Sequence, residues 1–411
     1  MSWYVILTLI VSVLMSLLMA YHFIVGLFAF RIIKRPGPSD RLHRFALVVA
    51  ARNEEAVIGC LLDSLHAQDY PREAFDIFVI ADNCTDRTGD VAAAAGAQVY
   101  TRQNQRQVGK GFALGWFFQQ FLPQYGNRYD AIGIFDADNL VEPDYLAEMN
   151  RQLGAGQVAV MGFRDSKNAG DNIIATTAAM SFWLVARFYH HPRQVLRLMV
   201  PAGGTGFVFL TRLIASGWNT ETMQEDMEFT IKLAMSGQRI GYTPYARFYD
   251  EQPVSLLPSL RQRLRWAVGG FQNLRLHLPR LLGSLKNGHF FLVLDTLIFL
   301  ISQPAFGFQL LVGLLCLAGA MIGVPVESWG SFLLPLLYSS LIGLATLYLQ
   351  SALVLLKEKK FSWKLFIGAL FFPAYLVSNV VIFFLAMFIR KVFWHPVTHR
   401  RALNLKQVSR R

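Results

Sequence analysis

Hydrophobic positions in this chain fall into two kinds of block: long runs towards both ends and short, strand-sized runs between them. Residues 3–30 contain no Lys, Arg, Asp or Glu. Residues 289–323 form a second long run, interrupted by Asp295, and 331–356 and 361–390 form a third and a fourth. About twenty apolar residues cross a bilayer as a helix, whereas a buried helix of a soluble core needs roughly ten to fourteen. Each run is therefore expected to span a membrane. The first is not expected to be a signal peptide, because Met1-Ser2-Trp3 carries no positive charge and the apolar stretch is too long.

The middle of the chain has a different period. Phe45–Ala51 is a short apolar run that ends in Arg52-Asn53-Glu54-Glu55, which predicts a buried parallel strand, a loop, and a helix through Val57, Leu61, Leu62 and Leu65. Phe75–Ala81 predicts a second strand, followed by Asp82-Asn83-Cys84-Thr85-Asp86, where Thr85 or Asp86 can cap a helix running to Ala95. Gln98–Tyr100 reads as a third, edge-like strand, and Ala131–Phe135 as a fourth that ends in Asp136-Ala137-Asp138. Such alternation predicts a doubly wound parallel sheet, and ligands of those sheets sit beyond the carboxyl ends of the strands. Arg52-Asn53-Glu54, Asp82 and Asp136-Ala137-Asp138 all fall at such ends.

Composition sharpens the membrane reading. Charged residues make up 16% of the 411 and hydrophobic ones 54%, whereas soluble domains carry about a quarter charged. The 39 Lys and Arg exceed the 27 Asp and Glu by 12. Arg31, Lys34, Arg35, Arg41 and Arg44 follow the first run directly, so the positive-inside rule puts that end, and the domain after it, in the cytoplasm. Lys357, Lys359 and Lys360, and the basic tail from Arg390 to Arg411, are also expected inside. Three simple crossings would put that tail outside. Either 289–323, with its Gln303-Pro304 break, or 361–390, with Pro373, must then count twice or lie at the interface. The positive excess fits contact with anionic lipid heads, and no basic–aromatic pattern points to nucleic acid. Cys60, Cys84 and Cys316 are far apart, odd in number and free of metal-ligand spacing, so they read as reduced thiols.

Several short segments can carry chemistry. Asp136 and Asp138 at a strand end can share a divalent cation bridging a diphosphate, and hard oxygen ligands suit Mg²⁺ or Mn²⁺. Gly109-Lys110-Gly111 opens a helix through Leu114 and Phe118 and offers a charge for phosphate, without the spacing of a P-loop. Gly203-Gly204-Thr205-Gly206 is either a substrate-facing loop or a plain turn. Gln224-Glu225-Asp226 precedes a helix, where acids ordinarily serve as caps. Residues 253–275 are amphipathic, with Arg261, Arg263, Arg265 and Arg275 among Leu260, Leu264, Trp266 and Phe271, and read as an interfacial helix.

These pieces occur in one order: Arg52-Asn53-Glu54, Asp82, Lys110, Asp136-Ala137-Asp138, Glu225-Asp226, then Gln262-Arg263-Leu264-Arg265-Trp266. That order resembles the membrane-embedded family 2 glycosyltransferases, which include cellulose, chitin, hyaluronan and poly-N-acetylglucosamine synthases. The resemblance covers about residues 45–275 and the flanking apolar segments. It implies an α/β GT-A (Rossmann-like) cytoplasmic domain flanked by transmembrane α-helices. The divisions are 1–30 (first membrane helix), 31–252 (catalytic domain), 253–288 (interface helices with Q-x-x-R-W), 289–391 (later membrane helices) and 392–411 (basic tail).

The resemblance also implies roles. Arg52, Asn53, Glu54 and Asp82 would lie around the nucleotide, with Asp82 facing the base. Lys110 would contact the diphosphate, and Asp136 and Asp138 would hold the sugar nucleotide and its Mg²⁺ or Mn²⁺. Asp226 would be the catalytic base with Glu225 beside it. Gln262, Arg265 and Trp266 would close over the diphosphate and the acceptor sugar, and Gly204 and Thr205 would line the acceptor path. Ala50 stands where Pro is common, and Gln224 where many polymer synthases have Thr.

The implied activity is inverting transfer from a nucleotide sugar, UDP-linked by resemblance, to a growing β-linked polysaccharide, with export across the plasma (bacterial inner) membrane. The alternative is single addition to a lipid acceptor, as in ceramide glucosyltransferase. Expected partners are the donor, a glycan or lipid acceptor, membrane lipids and, where export needs one, an accessory subunit. A transporter with a nucleotide-sensing domain is disfavoured because the membrane blocks carry few acids apart from Asp295.

Overall fold

The computed structural model describes residues 3–302, 329–389, 399 and 401–408. Helix α1 (Trp3–Gly26) is the first apolar run and ends in a 3-10 turn, Leu27–Phe30. Strands and helices then alternate: β1 (Phe45–Ala51), α2 (Ile58–His66), β2 (Phe75–Asp82), α3 (Thr88–Ala94), β3 (Gln98–Arg102), α4 (Lys110–Tyr125), β4 (Ala131–Asp136) and a short β5 (Leu140–Val141). The second half of the domain holds α5 (Tyr145–Gly154), β6 (Ala159–Ser166), α6 (Ile173–Val185), α7 (His191–Val195), β7 (Phe207–Leu210), α8 (Glu225–Met235) and β8 (Ile240–Asp250). Then come α9 (Leu256–Ser284), α10 (Phe290–Ser302), α11 (Trp329–Lys357), α12 (Trp363–Leu370), α13 (Phe372–Phe388) and α14 (Leu405–Val408).

All eight strands form one sheet in the order β3-β2-β1-β4-β7-β6-β8-β5. The half from β3 to β4 is parallel, with β3 at the edge as the sequence predicts. The other half corrects the expectation of a wholly parallel sheet. β7 runs antiparallel to both β4 and β6, and β5 antiparallel to β8. The physical reason lies in the connection. After β6 the chain passes through α6 and α7 and re-enters β7 from the carboxyl end, so β7 must run backwards. This return sets Gly203–Gly206 beside the carboxyl end of β4, where Gly206 N donates to Ile134 O at 2.8 Å.

The parallel strands are buried almost throughout, as expected of a sheet covered on both faces. Phe78, Phe117 and Phe121 are fully buried and pack edge-on, tilted or stacked against one another, and Phe78 and Phe121 also against Tyr129. Of the two candidates, Asp86 rather than Thr85 serves the start of α3: Thr88 N donates to Asp86 Oδ1 at 3.0 Å, whereas Thr85 Oγ1 accepts from Asn53 Nδ2 at 3.1 Å.

Among the described residues one helix segment, Val13–Phe30, is long and apolar enough to cross a membrane, and α12 with α13, bent by 43°, passes the same test only when the two are taken together. The later part of the 289–323 run and residues 390–398 lie outside the described residues. The turn between α11 and α12 is tied to the domain. Lys360 Nζ donates to Asp165 Oδ2 at 2.7 Å, and Arg187 Nε to Glu358 Oε1 at 3.2 Å. Asp165, buried, also accepts from Trp183 Nε1 and Arg247 Nη1.

Candidate active site

The carboxyl ends of β1, β2 and β4, the Gly203–Gly206 loop, the start of α8 and the middle of α9 face one cleft. At its floor Asp136 closes β4. Its N–H donates to Thr205 Oγ1 at 2.9 Å and to Asn139 Oδ1 at 3.2 Å, and Thr205 Oγ1 donates in turn to Asn139. Thr205 is thus buried behind the acidic turn and holds Asp136 in place. Lys110, the first residue of α4, bonds through Nζ to Asp136 Oδ1 and to Gly204 O, the latter at 2.7 Å. Gly204 takes φ +78°, and a Cβ there would stand 3.5 Å from Asp226 Oδ2. Lys110, Asp136, Gly204 and Asp226 therefore converge.

Asp138 is buried. Its Oδ2 accepts from Glu251 N at 2.9 Å and its Oδ1 from Asn139 Nδ2 at 3.3 Å. Burial pushes its pKa up, but the charges of His399, Lys167 and Arg164 and the Glu251 N–H outweigh it, and the carboxyl titrates below the usual range. Asp136 and Asp138 offer hard oxygens, which fits Mg²⁺ or Mn²⁺. Among the described residues no three His, Cys, Asp or Glu side chains gather as a metal cluster. The remaining oxygens would come from a bound diphosphate, the usual arrangement for Mg²⁺.

The sequence left Glu225 and Asp226 open as simple caps. Asp226 Oδ1 does accept from Met227 N at 2.8 Å in the first turn of α8. Glu225 is also buried and Asp226 half-buried, beside Gly111 and Gly204 respectively. Burial, and then the charge of Asp226, push Glu225 up to about 7, against the pull of Lys110. Burial raises Asp226 as well. Glu225 is thus kept partly protonated near neutral pH and Asp226 is shifted in the same direction, which makes the pair a candidate for general-base work.

Helix α9 carries Gln262, Arg265 and Trp266, and brings Arg265 near the acids of this cleft. Burial lowers the Arg265 pKa, while the charges of Glu225, Asp136 and Asp226 pull it up, so the guanidinium stands in their field. Trp266 packs edge-on against Phe182 of α6, with ring centroids 6.1 Å apart. Arg263 turns the other way: it is buried, donates to Ser378 Oγ and Asn379 Oδ1 at 2.7 Å, and lies over the Tyr375 ring. Close packing sets the position of α9. Met223 N donates to Gln272 Oε1 at 2.9 Å, Asn273 Nδ2 to Gln224 O at 3.2 Å, and a Cβ on Gly269 would lie 2.7 Å from Gln224 Cγ.

The residues expected around the nucleotide stand at the carboxyl ends of β1 and β2. Asn53, at φ +56°, bridges to Thr85 N at 2.8 Å and Thr85 Oγ1 at 3.1 Å. Arg52 is half-buried at the end of β1. Asp82 is buried in an ion pair with Arg102, Nη1 to Oδ1 at 2.5 Å, and accepts a further bond from Asn83 Nδ2 at 3.0 Å. Glu54 meets His399, whose Nδ1 stands 2.9 Å and 3.0 Å from the two carboxylate oxygens.

Sequence reasoning missed four contributors. Arg164 on β6 bonds to Gly203 O, stands 3.6 Å from Asp250 Oδ2, and lies over the Phe182 ring. Asp250 ends β8; burial, with the charges of Asp138 and Asp136, raises it to about 7 against Arg164. Glu251 holds Asp138 through its N–H. His399 comes from the tail, which is further fastened by Arg401 Nη2 to Asp171 at 2.6 Å and by Val408 packing with Leu140 and Tyr249. The strand end YDEQ at Tyr249–Gln252 was the available signal for Asp250 and Glu251; His399 carried none.

A sequence profile described as "Glycosyltransferase like family 2" matches residues 43–269. The β-monoglucosyldiacylglycerol synthase of Synechocystis sp. is 28% identical over 241 residues, covering 55% of this chain and 47% of that one. The poly-β-1,6-N-acetyl-D-glucosamine synthase of Staphylococcus aureus is 24% identical over 247 residues, covering 57% and 56%. The chain spans about half the length of the curated relatives it matches. Among solved structures, a mannosyltransferase of Pyrobaculum calidifontis in complex with GDP-Man and Mn²⁺ superposes with a TM-score of 0.55 at 19% identity, covering 91% of this chain and 99% of that one.

Proposed function

This chain belongs to the glycosyltransferase-like family 2, and from that premise we propose that it is a metal-dependent, inverting transferase that passes a sugar from its nucleotide donor to a hydroxyl acceptor at the inner face of a membrane. One observation carries the reading: the acid pair of buried Glu225 and half-buried Asp226 faces Asp136, Lys110 and Gly204 across a single cleft.

The acceptor hydroxyl attacks the anomeric carbon while its proton passes to Asp226, and Glu225 beside it keeps the pair's affinity for protons near neutral pH. The carbon–oxygen bond to the nucleoside diphosphate breaks, and the anomeric centre inverts in that one displacement. Lys110 and Arg265 neutralise the charge growing on the departing diphosphate. Asp136 and Asp138 would hold the divalent cation, which supplies further charge there. Arg52, Asn53, Glu54 and Asp82 surround the nucleotide, and Gln262 and Trp266 close the acceptor side. Thr205 serves by holding Asp136.

A lipid acceptor is favoured by the surroundings of Trp266. Its partner Phe182 lies on α6, which packs against the apolar α12, and Leu256, Leu257, Phe361 and Trp363 present exposed apolar surface. Similarity to the glucosyldiacylglycerol synthases supports the same reading. The polysaccharide reading is favoured by the Q-x-x-R-W order and by similarity to the poly-N-acetylglucosamine synthase.

We read α1 as the anchor. Because Lys360, before α12, and His399, after α13, both bond to the catalytic domain, we read 361–390 as the block that returns to the same side.

The test uses purified chain in nanodiscs with Mg²⁺ or Mn²⁺, screened against UDP- and GDP-sugars for nucleoside diphosphate release with and without lipid extract. Lipid-dependent release with a single-sugar glycolipid supports the lipid reading. A large glycosidase-sensitive product without added lipid supports polymer synthesis. No release with any donor or acceptor defeats both.

A further inference from the structure

At the amino ends of β6 and β8, away from the cleft, a recess of about 440 Å³ opens to solvent between Gln157, Arg197, Gln238 and Arg239. Arg239 is half-buried and meets only neutral acceptors: Nη1 donates to Gln194 Oε1 at 3.1 Å and Leu198 O at 3.5 Å, and Nη2 to Gln157 Oε1 at 3.1 Å. Among the described residues no carboxylate pairs with Arg239 or with Arg197. Burial and the charge of Arg197 together lower the Arg239 pKa, so each guanidinium stands in the other's field. Among the described residues no anion offsets this mutual repulsion, which disfavours the charged form of the half-buried Arg239.

Arg197 adds a second observation. It follows the end of α7, where Leu198 N bonds Arg193 O at 2.8 Å, and it takes φ +57°. That helix-closing position ordinarily belongs to glycine. A strained residue is a pointer to function, and here it directs a cation to the rim of the recess.

The recess stands at the foot of the apolar helices. A Cβ on Gly237 would lie 2.4 Å from the His289 ring, so α10 begins against the Gln238 loop. Met199 N donates to Asp295 of α10 at 3.0 Å, and Arg193 bonds both Asp295, at 2.7 Å, and Tyr21 of α1, at 3.4 Å. Phe290 and Phe291, the first residues of α10, are 46% and 82% exposed. Exposed aromatics next to unneutralised cations are the composition of a lipid–water boundary.

We propose that this recess binds the phosphate of an anionic phospholipid headgroup, with Arg197 and Arg239 as its ligands. The proposal rests on the reading of α1 as a membrane anchor.

Native mass spectrometry of the full chain released from mixed micelles tests it, with dioleoyl-phosphatidylglycerol and dioleoyl-phosphatidylcholine as probes. Both probes carry the phosphate, but the choline cation of phosphatidylcholine would be repelled by the two guanidiniums, so the net anionic headgroup predicts about tenfold greater retention of phosphatidylglycerol. Arg197→Gly should remove that preference while keeping or raising the melting temperature, because glycine relaxes the backbone there; Arg239→Gln should weaken it as well. No preference in the wild type, or an unchanged preference in both variants, overturns the proposal. Millimolar inorganic phosphate should compete weakly. Strong competition overturns the lipid source and assigns the recess to free phosphate. Flotation with phosphatidylcholine vesicles reports anchoring separately. Loss of flotation defeats the anchor, whereas loss of the phosphatidylglycerol preference alone defeats the recess.

Discussion

His399 stands between Glu54 and Asp138, its Nδ1 2.9 Å from one carboxylate and its Nε2 3.9 Å from the other. Burial alone would lower its pKa, but Asp138, Glu54 and Glu251 outweigh burial and hold it up to about 10. The imidazolium thus holds the tail against two acids of the candidate donor site. A pKa raised above the ordinary histidine value stabilises docking fully below about 6.5, and that contribution fades as pH climbs towards 10. Protease cleavage within 399–408 should therefore be slow at pH 6.5 and quicken by pH 9.5. His399→Ala should abolish the pH dependence and weaken donor affinity about tenfold, the value of one charge-assisted bond. Equal cleavage at both pH values in the wild type would count against the imidazolium as the clasp.

Asp226→Asn removes the proton acceptor and leaves the shape of the cleft. Transfer should fall by about two to four orders of magnitude, while donor binding, read by calorimetry, stays within about threefold. Turnover near wild type would remove Asp226 from the role of base.

Glu225 also makes a pH prediction. Its carboxyl keeps its proton up to about pH 7, and the acid pair works as a base only once that proton is gone. Activity should therefore rise with pH through an acidic limb centred near 7, a property of the coupled pair rather than of one residue. Glu225→Gln deletes one titration and should move the limb to lower pH. An unmoved limb in that variant would assign the titration to another group, Asp250 first among them.

The residues legible in the sequence are those where a short apolar run stops at a polar cluster. Asp82, Asp136 and Asp138 stand at or just past strand ends, and the apolar runs Phe75–Ala81 and Ala131–Phe135 mark those points by stopping at a polar residue. The direction of β7 was not legible, because four apolar residues look the same run either way and the reversal is imposed by the path through α6 and α7. Arg164 and Asp250 sit on strands paired in parallel across a bulge; each reads in isolation as a solvated charge. His399 lies 345 residues from Glu54, and no local period announces a contact made by the chain's return to the sheet.

Asp138→Ala should separate binding from folding. The carboxylate is fastened by Glu251 N and faces His399, so its loss frees part of the tail's clasp and one of two hard oxygens. Donor affinity should lose most of its dependence on Mn²⁺ concentration, measured by titrating the metal at fixed donor. A metal dependence equal to that of the wild type would argue that Asp138 is no ligand.

Gly269 is where α9 meets Gln224, next to the Glu225–Asp226 pair. A Cβ there would stand 2.7 Å from Gln224 Cγ and 3.0 Å from Gln224 N. The side-chain contact can yield by rotation, but the backbone contact cannot, so alanine must push α9 and the Gln224–Asp226 turn apart. That motion shifts Arg265 and Trp266 away from Glu225 and Asp226 by a few tenths of an ångström or more. Small misplacements in a catalytic constellation cost far more in rate than in stability, whereas overpacking costs roughly 1–3 kcal/mol. Gly269→Ala should therefore lower the melting temperature modestly and kcat by at least tenfold, with donor affinity nearly unchanged because Lys110, Asp136 and Asp138 do not move. Gly206→Ala makes the contrast. Its Cβ would fall 2.0 Å from the Phe248 ring at φ +64°, so that variant should lose stability first and activity only as the fold is lost. If Gly269→Ala instead loses rate and stability in the same proportion as Gly206→Ala, then α9 packs for the fold alone and does not set the geometry of the acid pair.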